Sequence, residues 1–338
     1  MPDPLKVLQS FPPPRPTTNP YLVMLAECLR ALPGITVMNF SWRAAMLERY
    51  DVYHVHWPEA MLVGTSPLKR LAKQLLTVSL LAKLQLTRTP IVRTVHNIEL
   101  PRDISRRERL LLQAIERRTT LRIRVNHATE TPLGRAAVTI PLGHYRDWFA
   151  ADRRCQSVPG QVGYFGLIRR YKGIDTLIQA FRGLEDEAMT LRAGGKPSTD
   201  ELASTIRELS RGDTRITLEL KFLSDTALVD IVTSSELIVL PYRFMHNSGA
   251  MLVALSLDRP VLVPDNVVNQ QLAGEVGPGW VIRYQGNLTG AHIVDALAEV
   301  RKDPHRPSPD LTARDWARAG VEHANAYREA ITARRGRR

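Results

Sequence analysis

The sequence predicts an α/β protein of two domains, each built on a parallel sheet, and three observations support this fold class. Short β-branched runs alternate with amphipathic helical stretches along both halves of the chain. The composition changes at 147–160, a charged stretch that ends in Val158-Pro159-Gly160 and predicts a linker. The 338 residues suffice for two cores, and 44% hydrophobic with 24% charged residues is ordinary for a globular protein.

The first half of the chain predicts a series of strands joined by helices. After the first strand comes the proline-rich stretch Pro12–Pro20, which either lines a cleft or serves as a connector. The expected strands are Leu5–Phe11, Ile35–Phe40, Val52–His56, Pro90–Val95, Arg122–Val125 and Ala137–His144. The expected helices are Tyr21–Leu32, Ser66–Leu86 and Arg106–Arg118.

Two of these strands end in a histidine. Period-two alternation places His54 and His56 on the same side of their strand, and Glu59 follows closely. The next strand leads to His96 and Glu99. Ligands of open α/β sheets bind at the carboxyl ends of the strands, so His56, Glu59, His96 and Glu99 are the catalytic candidates, with His56 as the first choice of general base. The alternative is that the histidines are structural and that Glu99 starts a helix or forms a salt bridge.

The stretch Gly163–Phe181 combines a strand, a glycine turn, a basic loop and a helix. The strand ends at Gly166, and Arg169, Arg170 and Lys172 follow before the apolar residues recur with helical spacing. A glycine lets the backbone approach a ligand, and helix-start N–H groups beside fixed positive charge bind phosphate. The stretch is therefore either a phosphate or diphosphate site or an ordinary β-α crossover with solvated charges.

The pattern G-x-x-x-x-x-K-G from Gly166 to Gly173 resembles the nucleotide-sugar loop of the GT-B glycosyltransferases of the group 1 type. Later segments are similar to that family in the same order, namely Leu191–Gly195, Phe222–Asp225, Leu237–Tyr242 and Arg259–Pro264. The resemblance implies an α/β GT-B fold with two Rossmann-like domains whose parallel sheets face a central cleft. It implies an acceptor-binding domain at 1–150, a nucleotide-sugar-binding domain at 151–312, and a helix at 313–338 that crosses back to the first domain.

The resemblance also implies roles for individual residues. The basic residues of the loop hold the diphosphate of a nucleotide-sugar donor, and a strand-end histidine, here His56, faces the acceptor. The implied donor-binding residues are Gly166, Arg169, Arg170, Lys172, Gly194, Phe222, Leu223, Tyr242, Asn247, Ser248, Gly249 and Ala250. Neither a cofactor nor a metal is expected, because the sequence contains no Asp-x-Asp pair and Lys172 can stabilise the leaving diphosphate.

The sequence departs from the resembled family in the segment 241–261. The positions of two glutamates in that family hold Met245 and Val253 here. The run Asn247–Ala250 opens a helix whose N–H groups can bind a diphosphate without the glutamates. Together with the His-Trp-Pro-Glu run, it resembles the bacterial glycolipid mannosyltransferases of exopolysaccharide assembly, which use GDP-mannose. The donor, the acceptor, and inversion or retention at the anomeric carbon stay open.

The expected helix Ser66–Leu86 is both basic and broadly apolar. One face carries Leu68, Leu71, Ala72, Leu75, Ser79, Ala82 and Leu86, and the other carries Lys69, Arg70, Lys73 and Thr77. Such a helix either lies on an anionic membrane beside a lipid-linked or other glycan acceptor, or packs as a crossover helix with a solvated face. The formal net charge of +12 suits an anionic partner but does not choose among nucleotide, lipid and nucleic acid.

These features predict a cytoplasmic enzyme, peripheral on the inner face of the plasma membrane if this helix binds lipid. The sequence shows no signal-peptide core and no run of about 18 apolar residues. Cys28 and Cys155 lack zinc-ligand or disulfide-framework spacing. The alternative is a non-catalytic basic protein that binds membrane or nucleic acid, although no aromatic-basic recognition motif is present. NAD-dependent epimerases are disfavoured because the first strand lacks a G-x-G-x-x-G turn.

Overall fold

The computed structural model describes residues 3–96, 104–131, 134–247, 249–303 and 307–336. The chain forms two compact units. Unit 1 comprises residues 1–143 and 314–338, and unit 2 comprises residues 144–313. Each unit contains a six-stranded sheet in which the described neighbouring strands are parallel. Parallel sheets are covered by helices on both faces, which the alternating sequence pattern anticipates.

Unit 1 alternates strands with helices along the first part of the chain. Its elements are β1 (Leu5–Gln9), α1 (Pro20–Arg30), β2 (Ile35–Met38), α2 (Trp42–Leu47), β3 (Val52–Val55), α3 (Pro67–Leu86), β4 (Ile91–Val95), α4 (Arg106–Arg118), β5 (Thr119–Arg124) and β6 (Ala137–Thr139). The strand order is β2-β1-β3-β4-β5-β6. These four helices begin after side chains that accept a backbone N–H bond, namely Asn19, Ser41, Ser66 and Ser105.

Unit 2 repeats the same alternation. Its elements are β7 (Gln161–Phe165), α5 (Ile174–Arg182), β8 (Thr190–Gly194), α6 (Asp200–Ser210), β9 (Ile216–Glu219), α7 (Asp225–Ser234), β10 (Leu237–Val239), α8 (Gly249–Ser256), β11 (Val261–Pro264), α9 (Val267–Val276), β12 (Val281–Tyr284) and α10 (Gly290–Lys302). The strand order is β12-β11-β10-β7-β8-β9. Because β7 and β10 are neighbours, the loops that follow them meet at one edge of the sheet.

The final helix, α11 (Trp316–Gly336), belongs to unit 1. It packs against α1 and against the strands β3, β4 and β5. Its buried face includes Trp316, Ala319, His323 and Tyr327, which are the residues that the sequence places about one turn apart. A Cβ atom at Gly143 would lie 2.2 Å from Cε2 of Trp316, so the glycine makes room for this indole.

The segment 147–160, which the sequence predicts as a linker, belongs to unit 2. Phe149 is buried, and the indole N–H of Trp148 donates to a carboxylate oxygen of Asp225 at 2.9 Å. The boundary between the units lies at 143/144. Phe149 and Trp148 thus fix the start of the segment within unit 2, whereas most residues from 151 to 159 are exposed.

The ends of several elements differ from the expected bounds. β1 ends at Gln9 rather than Phe11, β6 ends at Thr139 rather than His144, and α11 begins at Trp316 rather than Asp310. The bounds of α4 are confirmed. Phe11 is buried although it lies beyond the strand, which shows that an apolar run can continue into the core after strand pairing stops.

α3 presents an apolar stripe to solvent. Its exposed large apolar residues are Leu68, Leu71, Leu75, Val78 and Leu86, whereas its buried residues are Gln74, Thr77, Leu80, Leu81 and Leu84. α3 therefore packs as a crossover helix with one solvated face, but its buried face is the one with Leu80, Leu81 and Leu84, and the Leu68–Leu86 face is the solvated one. None of the described helices is long and apolar enough to cross a membrane.

Candidate active site

Two glycines fix the basic loop at the carboxyl end of β7. Gly166 has φ +107°, and its N–H donates to the carbonyl oxygen of Gly194 at 3.0 Å. Gly173 has φ +67°, and a Cβ atom there would lie 2.2 Å from the carbonyl oxygen of Pro241. Only glycine combines this left-handed conformation with so close an approach. The loop is thereby held against the end of the neighbouring strand β10.

Lys172 directs its ammonium group over this turn. Its Nζ atom lies 4.9 Å from the centroid of the Tyr242 ring and 3.8 Å from the position that a Cβ atom of Gly166 would occupy. Burial, and then the nearby charge of Arg169, lowers the pKa of Lys172 to about 8. The described part of the chain supplies no carboxylate to this ammonium group. A desolvated cation without a counter-charge is unfavourable until an anion binds beside it.

The other cations of this region differ in their partners. Arg169 and Arg170 are exposed and form no ion pair with any described residue. Arg243 forms an ion pair with Asp175 at 2.9 Å, and its backbone N–H donates to the carbonyl oxygen of Tyr171 at 2.8 Å. Arg243 therefore holds the loop in place through Asp175 and Tyr171. The charges of Arg169 and Arg170 stay available to a ligand.

The helix start predicted after Asn247 is present. α8 begins at Gly249 and Ala250, and Asn247 is half-buried just before it. Ser248, the other residue assigned to the donor there, lies outside the described residues. The N–H groups of the first turn of a helix have no partner within the helix and favour an anion.

The remaining predicted donor residues have different environments. A Cβ atom at Gly194 would lie 2.5 Å from a side-chain carbon of Ile231 and 3.1 Å from one of Leu223, so Gly194 permits close packing. Leu223 is buried, whereas the neighbouring Phe222 is 54% exposed. Of these residues, Phe222 presents apolar surface to solvent, and Gly194 and Leu223 pack in the core.

The residues that replace the two glutamates of the resembled family contribute to packing. Met245 is buried, and its sulfur accepts a hydrogen bond from Nδ2 of Asn269 at 3.4 Å. Its carbonyl oxygen accepts one from Asn266 at 3.2 Å. Val253 is half-buried within α8. These positions therefore provide no carboxylate to a donor sugar.

Histidines gather on one side of the unit 1 sheet, and His56 is enclosed among them. The rings of His54 and His56 have centroids 4.2 Å apart, which confirms that the two side chains share a side of the strand. Nδ1 of His56 lies 3.3 Å from Nε2 of His96, and its Nε2 lies 3.0 Å from Oε1 of Gln9. With this Gln9 orientation, His56 donates to Gln9 and accepts from His96. The predicted catalytic role of His56 stays a prediction, and its 2% exposure favours His96 as the group nearer a substrate.

The hydrogen bonds continue from Gln9 to the final helix. Nε2 of Gln9 donates to the hydroxyl of Tyr327 at 3.4 Å, and that hydroxyl lies 2.8 Å from Nδ1 of His54. Nε2 of His54 lies 2.8 Å from the hydroxyl of Thr94. Tyr327 can thus donate to His54, which donates to Thr94. Burial lowers the pKa of both His54 and His56 well below the ordinary value, so both rings are neutral.

His96 joins this chain through His56 and is held by aromatic rings. It stacks on Trp57 with centroids 4.2 Å apart and planes 15° apart, and it meets the Tyr21 ring edge-on at 5.1 Å. Burial, followed by the charge of Arg93, lowers the pKa of His96 to about 3. His96 is half-buried rather than enclosed. The arrangement presents one rigid, neutral imidazole at the carboxyl end of β4.

The carboxylates assigned to this edge are less well defined. Glu59 is half-buried in a short 3-10 helix, Pro58–Met61, that follows β3. Glu99 lies outside the described residues. Sequence reasoning missed Gln9 and Tyr327, although a glutamine at the end of the apolar strand Leu5–Gln9 was a usable signal. Within the described ranges, no three His, Cys, Asp or Glu side chains are grouped to hold a metal ion.

Comparison with curated proteins gives two close relatives, while no family model matches the chain. A protein of Xanthomonas campestris pv. campestris (strain ATCC 33913) named GDP-mannose:glycolipid 4-beta-D-mannosyltransferase is 44% identical over 328 residues. The match covers 97% of this chain and 93% of that relative. A second protein of the same name from Xanthomonas campestris pv. campestris matches to the same extent.

Solved structures share the architecture at low identity. Anabaena HepE in complex with UDP-glucose superposes with a TM-score of 0.59 at 14% identity, covering 97% of this chain and 98% of that one. Sucrose-phosphate synthase from Thermosynechococcus elongatus gives 0.58 at 14% identity, covering 98% and 97%. The expected fold class is confirmed: the two sheets form a GT-B fold, and the protein is a glycosyltransferase.

With 44% identity across nearly its whole length, the chain belongs to the family of the bacterial glycolipid mannosyltransferases of Xanthomonas. It is accordingly an enzyme of the hexosyltransferase class. The family membership rules against the alternative of a non-catalytic basic protein.

The buried histidines predict that stability falls in acid. Burial lowers the pKa of His96 to about 3 and that of His323 to about 4, both below the unfolded value. Between those values and about 6.5, the unfolded chain binds more protons, so the free energy of unfolding decreases as the pH falls. Each such histidine contributes about 1.4 kcal/mol per pH unit in that window. Urea denaturation between pH 6 and pH 5 measures the slope.

The variant His323→Gln is expected to reduce the slope of the free energy of unfolding against pH by about 1.4 kcal/mol per pH unit, the contribution of one buried histidine. His127→Gln, at an exposed histidine of the same unit, is the matched control and should leave the slope unchanged. An equal slope in the wild type and in His323→Gln would contradict the assignment of neutral buried histidines.

Proposed function

We propose that this protein transfers mannose from GDP-mannose to a glycolipid acceptor in polysaccharide or glycolipid assembly. The observation that carries the proposal is the 44% identity, over 97% of the chain, to relatives named for that reaction. Unit 2 supports a diphosphate donor through cations that form no ion pair with the described residues, and unit 1 supports proton transfer through its neutral histidines. The proposed enzyme needs neither a metal ion nor a cofactor.

On the donor side, Lys172 is proposed to bind the diphosphate together with Arg169 and Arg170. The ammonium group is desolvated and has no carboxylate partner among the described residues. Charge-assisted hydrogen bonds to phosphate are strong, and they strengthen further as the leaving diphosphate gains charge. The first turn of α8 is proposed to add N–H groups to the same site. The exposed Phe222 provides apolar surface, and the buried Tyr242 ring lies beneath the ammonium group of Lys172.

Replacing Lys172 with methionine is expected to weaken GDP-mannose binding by about 10- to 150-fold, since a bond to a charged group contributes about 1.5 to 3 kcal/mol. Wild-type affinity should also fall as the pH rises through about 8, where Lys172 loses its proton, and this pH dependence should be absent in Lys172→Met. Titration calorimetry between pH 7 and pH 9 measures both effects.

Lys302→Met, at an exposed lysine on α10 of the same unit, removes the same charge and should bind GDP-mannose normally. If Lys172→Met binds and turns over as well as this control, the basic loop does not hold the donor.

On the acceptor side, we propose that His96 takes the proton of the acceptor hydroxyl and that His56 holds His96 in place. His96 is half-buried and therefore more accessible than His56, which is enclosed with both ring nitrogens in hydrogen-bond contact. Glu59 and Glu99 are the alternative bases. Direct displacement inverts the anomeric carbon and requires a base opposite the leaving group, which is the role proposed here for His96. We therefore further propose inversion at the anomeric carbon.

His96→Gln is expected to lower turnover by about 100-fold or more with little change in GDP-mannose affinity, which is typical of a group that acts mainly in the transition state. His56→Gln should cause a smaller loss. Steady-state kinetics with thermal unfolding as the folding check measures both. Near-normal turnover in both histidine variants, with Glu59→Gln or Glu99→Gln inactive, would transfer the role to that glutamate.

We also propose that α3 binds an anionic membrane, on the inner face of the plasma membrane of a cytoplasmic enzyme. The exposed residues Leu68, Leu71, Leu75 and Val78 recur every three or four positions and so form one line along the helix. Leu86 extends that line to the end of the helix, where it is 84% exposed. An apolar stripe of this length is a feature of helices that lie in the membrane interface.

Cations flank this stripe. Lys69 and Arg70 are exposed on α3, and Arg106, Arg107 and Arg109 are exposed on α4, which contacts α3. Glu108 pairs with Arg70 at 3.7 Å, which neutralises part of this charge. The excess of positive charge beside an apolar stripe complements a bilayer of anionic lipids and brings the enzyme to a lipid-linked acceptor.

Vesicle binding tests this surface. Two variants are expected to abolish sedimentation with vesicles of phosphatidylglycerol. The first combines Leu71→Gln with Leu75→Gln. The second combines Lys69→Glu, Arg70→Glu and Lys73→Glu, and the loss of binding free energy is about 1 kcal/mol for each positive charge removed. GDP-mannose affinity should not change. Val294→Gln with Val321→Gln, at exposed valines outside α3, is the matched apolar control. Unchanged sedimentation of the α3 variants would exclude this helix as the membrane contact.

A further inference from the structure

Arginines occupy one face of the unit 1 sheet where apolar residues are expected. Arg93 on β4 lies beside Arg122 on β5, and Arg124 lies two residues further along β5 on the same face. Strands inside a parallel sheet are normally apolar on both faces. Three cations in neighbouring positions of such a sheet therefore require a specific counter-charge.

The described residues neutralise this group only in part. Glu116 on α4 contacts both Arg93 and Arg122, and it accepts from Nε of Arg122 at 2.7 Å. Arg124 has no ion pair or hydrogen bond from its side chain within the described ranges, and its Nε is buried. One carboxylate thus pairs with two of the three guanidinium groups, and Arg124 has no described counter-charge.

The neighbours of Arg124 also have unmet hydrogen-bonding capacity. Thr139 on β6 is the cross-strand partner of Arg124, and its hydroxyl is buried without a partner among the described residues. Nη1 of Arg122 is also buried without a hydrogen-bond partner among the described residues, and Arg122 is only 2% exposed. A buried donor without an acceptor is unfavourable, and three such groups in adjacent positions indicate an absent ligand with acceptor atoms.

Arg124 lies at a position in the sheet where α/β proteins bind ligands. Arg124 is the last residue of β5, and its cross-strand neighbour on β4 is Val95, directly before His96. Carboxyl ends of parallel strands are where α/β proteins bind ligands. Arg124 is half-buried, so a ligand can reach its guanidinium group from solvent.

We propose that Arg124 and Thr139, with the charge of Arg122 behind them, form an oxyanion site that binds a carboxylate or phosphate group of the acceptor. A guanidinium group presents paired N–H donors that match two oxygens of either anion, and the threonine hydroxyl supplies a further donor. The existence of the site stands on the structure alone. The assignment of its ligand to the acceptor rests on the proposed function.

NMR of the arginine Nε–Hε groups tests the site without any assay of activity. The Arg124 signal is the one missing from the spectrum of Arg124→Lys. It is expected to shift saturably with inorganic phosphate or with acetate, and not with chloride at equal ionic strength. The anion that saturates it distinguishes a phosphate from a carboxylate ligand, and Thr139→Val should weaken the response. The absence of a saturable shift with either anion would overturn the site.

Kinetics tests the acceptor assignment. With GDP-mannose and a membrane glycolipid extract, Arg124→Gln should raise the KM for the extract about tenfold and leave the KM for GDP-mannose unchanged, with partial recovery in Arg124→Lys. Arg43→Gln, at an exposed arginine on α2, is the matched control. An unchanged acceptor KM in Arg124→Gln would overturn the assignment. A wild-type protein inactive with GDP-mannose would instead contradict the proposed function, while the NMR result would stand.

Discussion

The carboxyl edge of the unit 1 sheet depends on a buried chain of hydrogen bonds that has to be complete. Three hydrogen bonds form this chain: Gln9 on β1 bonds to Tyr327 on α11, Tyr327 bonds to His54 on β3, and His54 bonds to Thr94 on β4. Each of these side chains is buried, so its hydrogen-bonding groups depend on the neighbour and not on water. Leaving one buried polar group unpaired costs about 1 to 3 kcal/mol, so the loss of any member disturbs the next. The final helix is consequently part of the machinery that orients His96, and not only a cover for the sheet.

Each unit keeps a cation without a described counter-charge at the carboxyl edge of its own sheet, Lys172 in unit 2 and Arg124 in unit 1. Partly buried charges of this kind lower stability when they stand alone. The proposed substrates, a diphosphate donor and an anionic acceptor, would supply the missing negative charge at both positions. Binding of either anion should therefore stabilise the unit that holds it.

Features encoded over a few residues could be predicted from the sequence, and features that depend on distant contacts could not. The loop from Gly166 to Gly173 and the shared side of His54 and His56 follow from local spacing. The bond between Gln9 and Tyr327 joins residues 318 positions apart, and no periodicity reveals it. The buried face of α3 was undetermined for a different reason, since leucines line both sides of the helix and only tertiary packing selects one.

Arg93 connects the arginine group to the proposed chemistry. Its charge is the second cause, after burial, of the low pKa of His96, and a base with a pKa of about 3 accepts a proton weakly at neutral pH. An oxyanion bound at Arg124 would offset part of the positive potential that the arginines exert on His96, so the pKa of His96 would rise on binding of the proposed anionic acceptor. An acceptor without the anionic group leaves His96 weakly basic. The same charges would then select the acceptor and strengthen the base that acts on it.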